Sequence, residues 1–246
     1  FTSNVYDVFA GSQQTMPKLL QAGGYQTAII GKWHLISDPT GFDYWNIIPG
    51  QGDYYNPDFI NMDGTTSKHK GYLTNIITDK AIDWLENQRD KQKPFALFIH
   101  HKACHRNWLP ELKYLHEYED QTFAIPETFY DDYAGREAAK AQEMSIHSHI
   151  DMDLAYDVKL LDAHVDTRLS SSYISMIGRL DSHERAIYDQ FYDSIAIDFR
   201  SRNLQGRELS EYKFQRYMRD YAKVTRTMDD NIGRLMDYLR ENNMLE

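Results

Sequence analysis

Cysteine is almost absent, since Cys104 is the only one in 246 residues. That excludes an internal disulfide framework and leaves the compartment open. Positive charge is also short. Lysine and arginine number 27 against 37 aspartates and glutamates, a formal net charge of −10. A chain of that sign is a poor general binder of nucleic acid. Any anionic substrate must then be held by a local group of cations, because the overall field repels it. No stretch reads as a membrane span or a signal peptide. Long polar low-complexity runs are missing as well. With 18 tyrosines the composition is globular, and the length suffices for one sizeable core with room for a subdomain.

What is present is an alternation of helix and strand signals. Thr15 is placed as the N-cap of a helix that runs to a glycine stop at Gly23, and Thr27 to Gly31 reads as a buried strand. Ser37 to His69 reads as a long loop-rich stretch that mixes aromatics with glycine, asparagine and aspartate. Such a stretch either shapes a binding mouth or packs on itself as an aromatic-pinned loop. Its Gly50-Gln51-Gly52 is too loose a pattern for a phosphate cradle. Leu73 to Gln88 reads as a helix with Ile76, Ile77, Ala81, Trp84 and Leu85 on one face, and Phe95 to Ile99 as a second buried strand. Two helix–strand units predict an α/β fold, with a mostly parallel or mixed central sheet covered by helices on both faces. Glu137 to His147 and Asp181 to Phe199 read as helices. Phe214, Met218, Tyr221, Thr225, Met228, Ile232, Leu235 and Leu239 form one mostly apolar stripe, which predicts a long core helix.

The candidate chemistry lies after the strands. Gly31-Lys32-Trp33-His34-Leu35 follows the apolar run Ala28-Ile29-Ile30. On extended backbone Lys32 and His34 point to the same side. An ammonium holds an anionic oxygen, and an imidazole moves a proton near neutral pH. The plain alternative is a polar strand end meeting water. The position favours function, because α/β folds bind ligands at the carboxyl ends of their strands. His105 follows the second strand as His34 follows the first. Beside it, the Arg106 guanidinium can take a carboxylate or sulfate by two hydrogen bonds, and Trp108 either stacks on a sugar face or packs its loop. His100 and His101 point to opposite sides of the strand and read as hydrogen-bonded edge residues. Lys102 is either an added anion contact or a solvated lysine. His147-Ser148-His149-Ile150-Asp151-Met152-Asp153 would gather two histidines and two aspartates on one face if extended. It follows a helical run and has little β-propensity, so no metal site is assigned there. The adjacent pairs Asp131-Asp132 and Asp229-Asp230 diverge and read as solvated faces.

The tract from Thr15-Met16-Pro17-Lys18-Leu19-Leu20 to Gly31-Lys32-Trp33-His34-Leu35 closely resembles the second signature block of the type I sulfatases, in the alkaline-phosphatase-like superfamily. Gly41-Phe42-Asp43-Tyr44-Trp45, Pro94 to Trp108, and the helix ending near Met228-Asp229-Asp230-Asn231-Ile232-Gly233 match further segments in the family's order. The resemblance implies an alkaline-phosphatase-like α/β fold and hydrolysis of sulfate esters on glycosaminoglycan-type carbohydrates. It is greatest toward bacterial N-acetylglucosamine-6-sulfatases. It implies that Lys32 binds a sulfate oxygen and a formylglycine hydroxyl, and that His34 touches the formylglycine hydrate and acts as base when the covalent ester collapses. His105 becomes the general acid that protonates the leaving sugar oxygen; Arg106 and Trp108 are assigned as substrate contacts from their own chemistry beside it. One calcium ion and a formylglycine nucleophile belong to the intact enzyme, which is expected to be periplasmic or secreted.

Three family features are missing from the sequence. There is no Cys/Ser-x-Pro-x-Arg motif for formylglycine, no early acidic pair, and no later Asp-His/Gln/Asn-Gly metal motif. Cys104 stands where the family usually has proline, and Asp229-Asp230 lies inside a helical pattern. The expectation is therefore a central part of a single sulfatase catalytic domain, inactive alone. The rivals are a phosphoesterase or phosphonate hydrolase of the same superfamily, and a non-catalytic relative that binds sulfated glycan.

Overall fold

The computed structural model describes residues 7–142, 145–147, 152–161 and 165–245. The chain divides into two compact units, one of Phe1–Ala103 with Thr227–Glu246, the other of Cys104–Arg226.

The first unit is built on a five-stranded mixed sheet in the order β4-β3-β2-β1-β5. Its strands are β1 (Gln26–Lys32), β2 (Tyr44–Ile48), β3 (Asp58–Asn61), β4 (Thr66–Lys68) and β5 (Phe95–His100). Helix α1 (Met16–Ala22) precedes β1, and α2 (Leu73–Asp83) precedes β5. β1 runs parallel to both β2 and β5, whereas β2–β3 and β3–β4 are antiparallel. As the middle of the parallel trio β1 is covered on both faces, which is why it reads as a continuous apolar run. Ala28 and Ile30 pack with Ile48, Phe59, Leu73, Ile77, Ala81 and Trp84, joined by Leu235 and Leu239 near the chain's end. The opposite-facing Ile29 packs with Trp45, Ile47, Phe42 and Phe98. The mixed sheet with packed helices is the expected α/β class.

Gly31 shows why the Gly31-Lys32-Trp33-His34-Leu35 segment begins with glycine. Its φ is +108°, and a Cβ there would lie 2.2 Å from the His100 carbonyl oxygen of the neighbouring strand. No other residue fits that conformation at that approach.

The long stretch read as loop contains β2, β3 and β4. Its Gly41-Phe42-Asp43 segment serves the scaffold. Asp43 accepts from the Thr27 amide at 2.8 Å, and Phe42 packs edge-on against Trp33 and Phe98. Thr15 occupies the N-cap of α1 but makes no side-chain cap bond. The helix expected over 73–88 is α2 continued by a wider turn at Trp84–Gln88.

The second unit is helical where it is regular. α3 (Glu137–Lys140) is all that is helical of the expected 137–147 segment among the described residues. α4 (Ser170–Ile177) and α5 (Ser182–Arg202) follow. α5 is started by a capping box: Asp181 accepts from the Glu184 amide at 2.9 Å, and Glu184 accepts from the Asp181 amide at 2.8 Å.

α6 (Gly206–Glu241) departs from its expected stripe. Its buried positions include Lys213, Phe214, Arg216, Asp220, Lys223 and Val224, whereas Ile232 is 46% exposed. In the second unit the helix buries charge alongside the apolar Phe214 and Val224. Arg216 and Lys223 donate to Glu119, Arg216 and Lys159 reach Asp220, and the Tyr192 hydroxyl donates to Asp220 at 3.2 Å. Burial raises the Asp220 pKa, but Arg216, Lys159 and Lys223 outweigh it and hold the carboxyl below its ordinary value. Periodicity located the helix correctly, but a buried ion network follows the same period as an apolar stripe, with the Arg216 Nε of its guanidinium left without a partner among the described residues.

Candidate active site

In the first unit the carboxyl ends of the three parallel strands bring the candidate residues together. Lys32 closes β1 opposite Ile48 of β2, and Gly31 stands opposite His100 of β5. Beyond β2 the chain turns through Gly50 and Gly52, both at positive φ, and presents Gln51 between them. The Lys32 ammonium donates to the Gln51 side-chain oxygen, and the Lys102 ammonium donates to the Gln51 main-chain oxygen at 3.3 Å. The Gln51 amide nitrogen lies 3.4 Å from the His34 ring. One residue thus ties together the cations of two strand ends and the imidazole.

Lys102 is not a solvated lysine. It is 7% exposed, with its ammonium 5.0 Å from the centre of the Tyr54 ring. Burial and the nearby Lys32 charge lower its pKa from 10.5 to about 8, with Asp53 acting in the opposite direction. Burial lowers the Lys32 pKa as well. Two partly desolvated ammonium groups that repel each other form a place where an anion is favoured.

His34 is not reached by extending the strand. Its φ is +52°, and Ile36 follows at +66°. The chain therefore leaves β1 after Lys32, and the alternation argument for a shared side stops there. A left-handed conformation at such residues costs on the order of 1–3 kcal/mol. Surrounding contacts hold it: the Trp33 indole donates to the Ser37 carbonyl at 2.6 Å, and the Phe9 amide donates to the Leu35 carbonyl at 3.2 Å. His100 donates its Nδ1 hydrogen to the Lys32 carbonyl at 3.1 Å, as an edge histidine should. His101 is half-buried; desolvation, then His100, lowers its pKa to about 4, so it is neutral at pH 7.

In the second unit His105, Arg106 and Trp108 line a cavity of about 490 Å³ with Ile146, Met152 and Tyr217. The His105 Nδ1 hydrogen bonds to the Arg106 carbonyl oxygen at 2.5 Å. Because that carbonyl only accepts, the neutral ring carries its proton on Nδ1. Arg106 makes the two-pronged contact expected of it, but with Asp157: Nε donates to one carboxylate oxygen at 2.9 Å, and Nη2 to the other. The Trp108 indole donates to the Cys104 carbonyl at 3.1 Å, and its ring stands 4.5 Å from that of Tyr217. Cys104 itself pairs with the Thr225 hydroxyl at 3.2 Å.

Of the histidine–aspartate stretch, Ser148, His149, Ile150 and Asp151 lie outside the described residues. His147 bonds to the Ser210 hydroxyl and the Phe129 carbonyl, while Asp153 accepts the amides of Ala155 and Tyr156. Both side chains are thereby occupied in structural bonds. Among the described residues, no group of three or more His, Cys, Asp or Glu side chains is placed to hold a metal ion.

Sequence reasoning passed over Gln51 and left Lys102 open. The turn glycines flanking Gln51 were a visible signal of a shaped loop. Nothing local marks Gln51 as the partner of residues 19 and 51 positions away.

The Sulfatase family profile matches residues 1–246. The chain is 46% identical to an N-acetylglucosamine-6-O-sulfatase of Bacteroides thetaiotaomicron over 98% of its own length and 43% of that protein. It superposes on a solved complex with the substrate D-glucosamine-2-N,6-O-disulfate at a TM-score of 0.90 and 46% identity, covering all of this chain and 50% of that one. An N-acetylgalactosamine-6-sulfatase of Mus musculus is 29% identical over 38% of this chain and 23% of that protein. The chain thus spans about half the length, or less, of the relatives it matches. The cations after β1 and β5 and the family profile agree, and the chain belongs to the Sulfatase family.

Proposed function

We propose that this chain is the central part of a sulfatase catalytic domain that hydrolyses sulfate esters on carbohydrates, with a 6-O-sulfated glucosamine as substrate. The observation that carries the reading is the pair of ammonium groups, Lys32 and Lys102, that share Gln51 at the ends of parallel strands. A net charge of −10 otherwise repels a sulfated sugar, so this local cation pair is the anchor the substrate requires. The similar N-acetylglucosamine-6-O-sulfatase supports the choice of sugar.

In this reading Lys32 holds a sulfate oxygen and stabilises the charge that develops as the S–O bond breaks. Lys102 donates to the same sulfate as a second ammonium. His34 moves a proton near the bound sulfate. His105, with its Nδ1 hydrogen engaged, acts as the imidazolium: its Nε2 proton passes to the leaving sugar oxygen, and the ring is left neutral with its proton on Nδ1. Trp108 and its neighbours offer an apolar wall to the sugar ring, and Arg106 lines the same cavity. The family's calcium and formylglycine do not fit the described residues: no acidic cluster is placed for a metal, and the sequence holds no Cys/Ser-x-Pro-x-Arg motif. Both are assigned to other parts of the intact enzyme. The site of action is periplasmic or secreted, where sulfated polysaccharides are met.

The test is to incubate the complete protein carrying this chain with glucosamine 6-sulfate and, separately, glucosamine 6-phosphate. Release of sulfate, abolished by Lys32→Ala, is expected. Preferential release of phosphate would instead establish the phosphoesterase. Sulfate-dependent binding with no release would establish the non-catalytic glycan binder.

A further inference from the structure

The loop that carries His105 is held from behind by a buried cation and a buried carboxylate. Lys159 is 1% exposed, and its ammonium donates to the carbonyls of Asn107 at 3.0 Å, Trp108 at 2.9 Å and Asp157 at 3.1 Å. It also lies 3.3 Å from an Asp220 carboxylate oxygen. Two of those carbonyls belong to the His105 loop. Arg106, in the same loop, is gripped by both oxygens of Asp157. Asp157 is fully buried and accepts in addition from the Asp153 amide at 2.8 Å. The His105 imidazole donates to the carbonyl of Arg106, so its orientation follows from a residue whose side chain Asp157 fixes.

Burying this much charge is costly, and apolar side chains of similar size would close the same space at a lower desolvation cost. Lys159 also carries backbone strain, at φ +52°. What the charged arrangement adds is direction. Carbonyls and a guanidinium are held at set points, which apolar packing does not do.

We infer that Asp157 and Lys159 are positioning residues for His105, through Arg106 and through the Asn107 and Trp108 carbonyls. The inference rests on the acid role proposed for His105. It makes Arg106 a link between Asp157 and the histidine, where a direct sulfate contact would leave its fork open to substrate. A general acid acts only with its proton aimed at the leaving oxygen, and a misplacement of about 1 Å costs about 100-fold in rate.

The experiment is steady-state kinetics of the complete sulfatase on glucosamine 6-sulfate, with Arg106→Gln, Asp157→Asn and His105→Ala compared with the parent. Folding of each is checked by circular dichroism and thermal melting. Arg106 is the partly exposed member, so Arg106→Gln carries the test if Asp157→Asn does not fold. Expected for the folded variants is a kcat lowered by about 100-fold. KM should stay within about twofold, as when an interaction made only in the transition state is lost. The alkaline limb of the pH–kcat profile should move, and in a second pair of variants made for the same assay Lys159→Arg should recover part of what Lys159→Met loses. A raised KM at unchanged kcat in Arg106→Gln would make Arg106 a direct substrate ligand and overturn the inference. So would parental kcat and pH profile in the folded variants while His105→Ala is inactive. If His105→Ala itself keeps parental kcat, the acid role fails, and the positioning role fails with it.

Discussion

Lys102 is a charge that the fold tolerates at a cost. Its pKa falls from 10.5 to about 8 because burial and the Lys32 charge disfavour the ammonium. At about 1.4 kcal/mol per pKa unit, keeping it protonated costs the folded state about 3 kcal/mol. The sign follows from linkage. Below pH 8 both folded and unfolded chains carry the proton, and the whole cost is present. Between about pH 8 and 10.5 the unfolded chain holds the proton more tightly, so stability rises with pH. Lys102→Met removes the charge and keeps most of the volume. The variant should be more stable than the parent by up to about 3 kcal/mol at pH 7, with the gain fading towards pH 10.5. Urea denaturation at both pH values, followed by hydrogen exchange of the β1 and β5 amides, reads the difference for this unit. The same variant should bind a sulfated sugar about 10- to 100-fold more weakly, since a charge-assisted hydrogen bond contributes roughly 1.5–3 kcal/mol. A Lys102→Met chain that is less stable than the parent, or whose stability difference does not change with pH, would mean that Lys102 is not a destabilising buried ammonium.

Three further substitutions test separate parts of the fold. Gly31→Ala forces a Cβ against the His100 carbonyl at positive φ, and should destabilise the sheet by more than about 2 kcal/mol in urea denaturation. Asp220→Ala removes the carboxylate that Arg216, Lys159 and Lys223 surround, and should cost about 3–5 kcal/mol by the same method. Asp181→Ala removes the capping box of α5 and should cost about 0.5–2 kcal/mol, with exchange protection lost first in the amides of His183 and Glu184.

The parts of the fold readable from sequence are those where local pattern and burial coincide. β1 and β5 are short apolar runs beside helices, and α2 and α5 carry faces or caps of their own. β2 was hidden because Asn46 sits at its centre. Only the structure supplies that residue's partners, the Ile60 carbonyl at 3.2 Å and the Asn61 side chain at 2.8 Å. β3 and β4 are short and polar, and they exist because a neighbouring strand offers its edge. The candidate site divides in the same way. Lys32, His34 and His105 are legible because Lys32 ends a recognisable strand and each histidine follows one. Gln51, Asp157 and Lys159 act through partners far away in the chain, and no local spacing encodes such pairs. Arg106 was legible as a two-pronged donor, but not as one already held by Asp157.

The central claim is that the ends of β1, β2 and β5 hold a sulfate ester through Lys32 and Lys102. Its most direct test is calorimetric titration of this 246-residue chain with glucosamine 6-sulfate and with unsulfated glucosamine at pH 7 and fixed ionic strength. The account predicts binding of the sulfated sugar alone, weakened in Lys102→Met and abolished in Lys32→Ala. Equal affinity for both sugars, or undiminished binding of the sulfated sugar in Lys32→Ala, would contradict it.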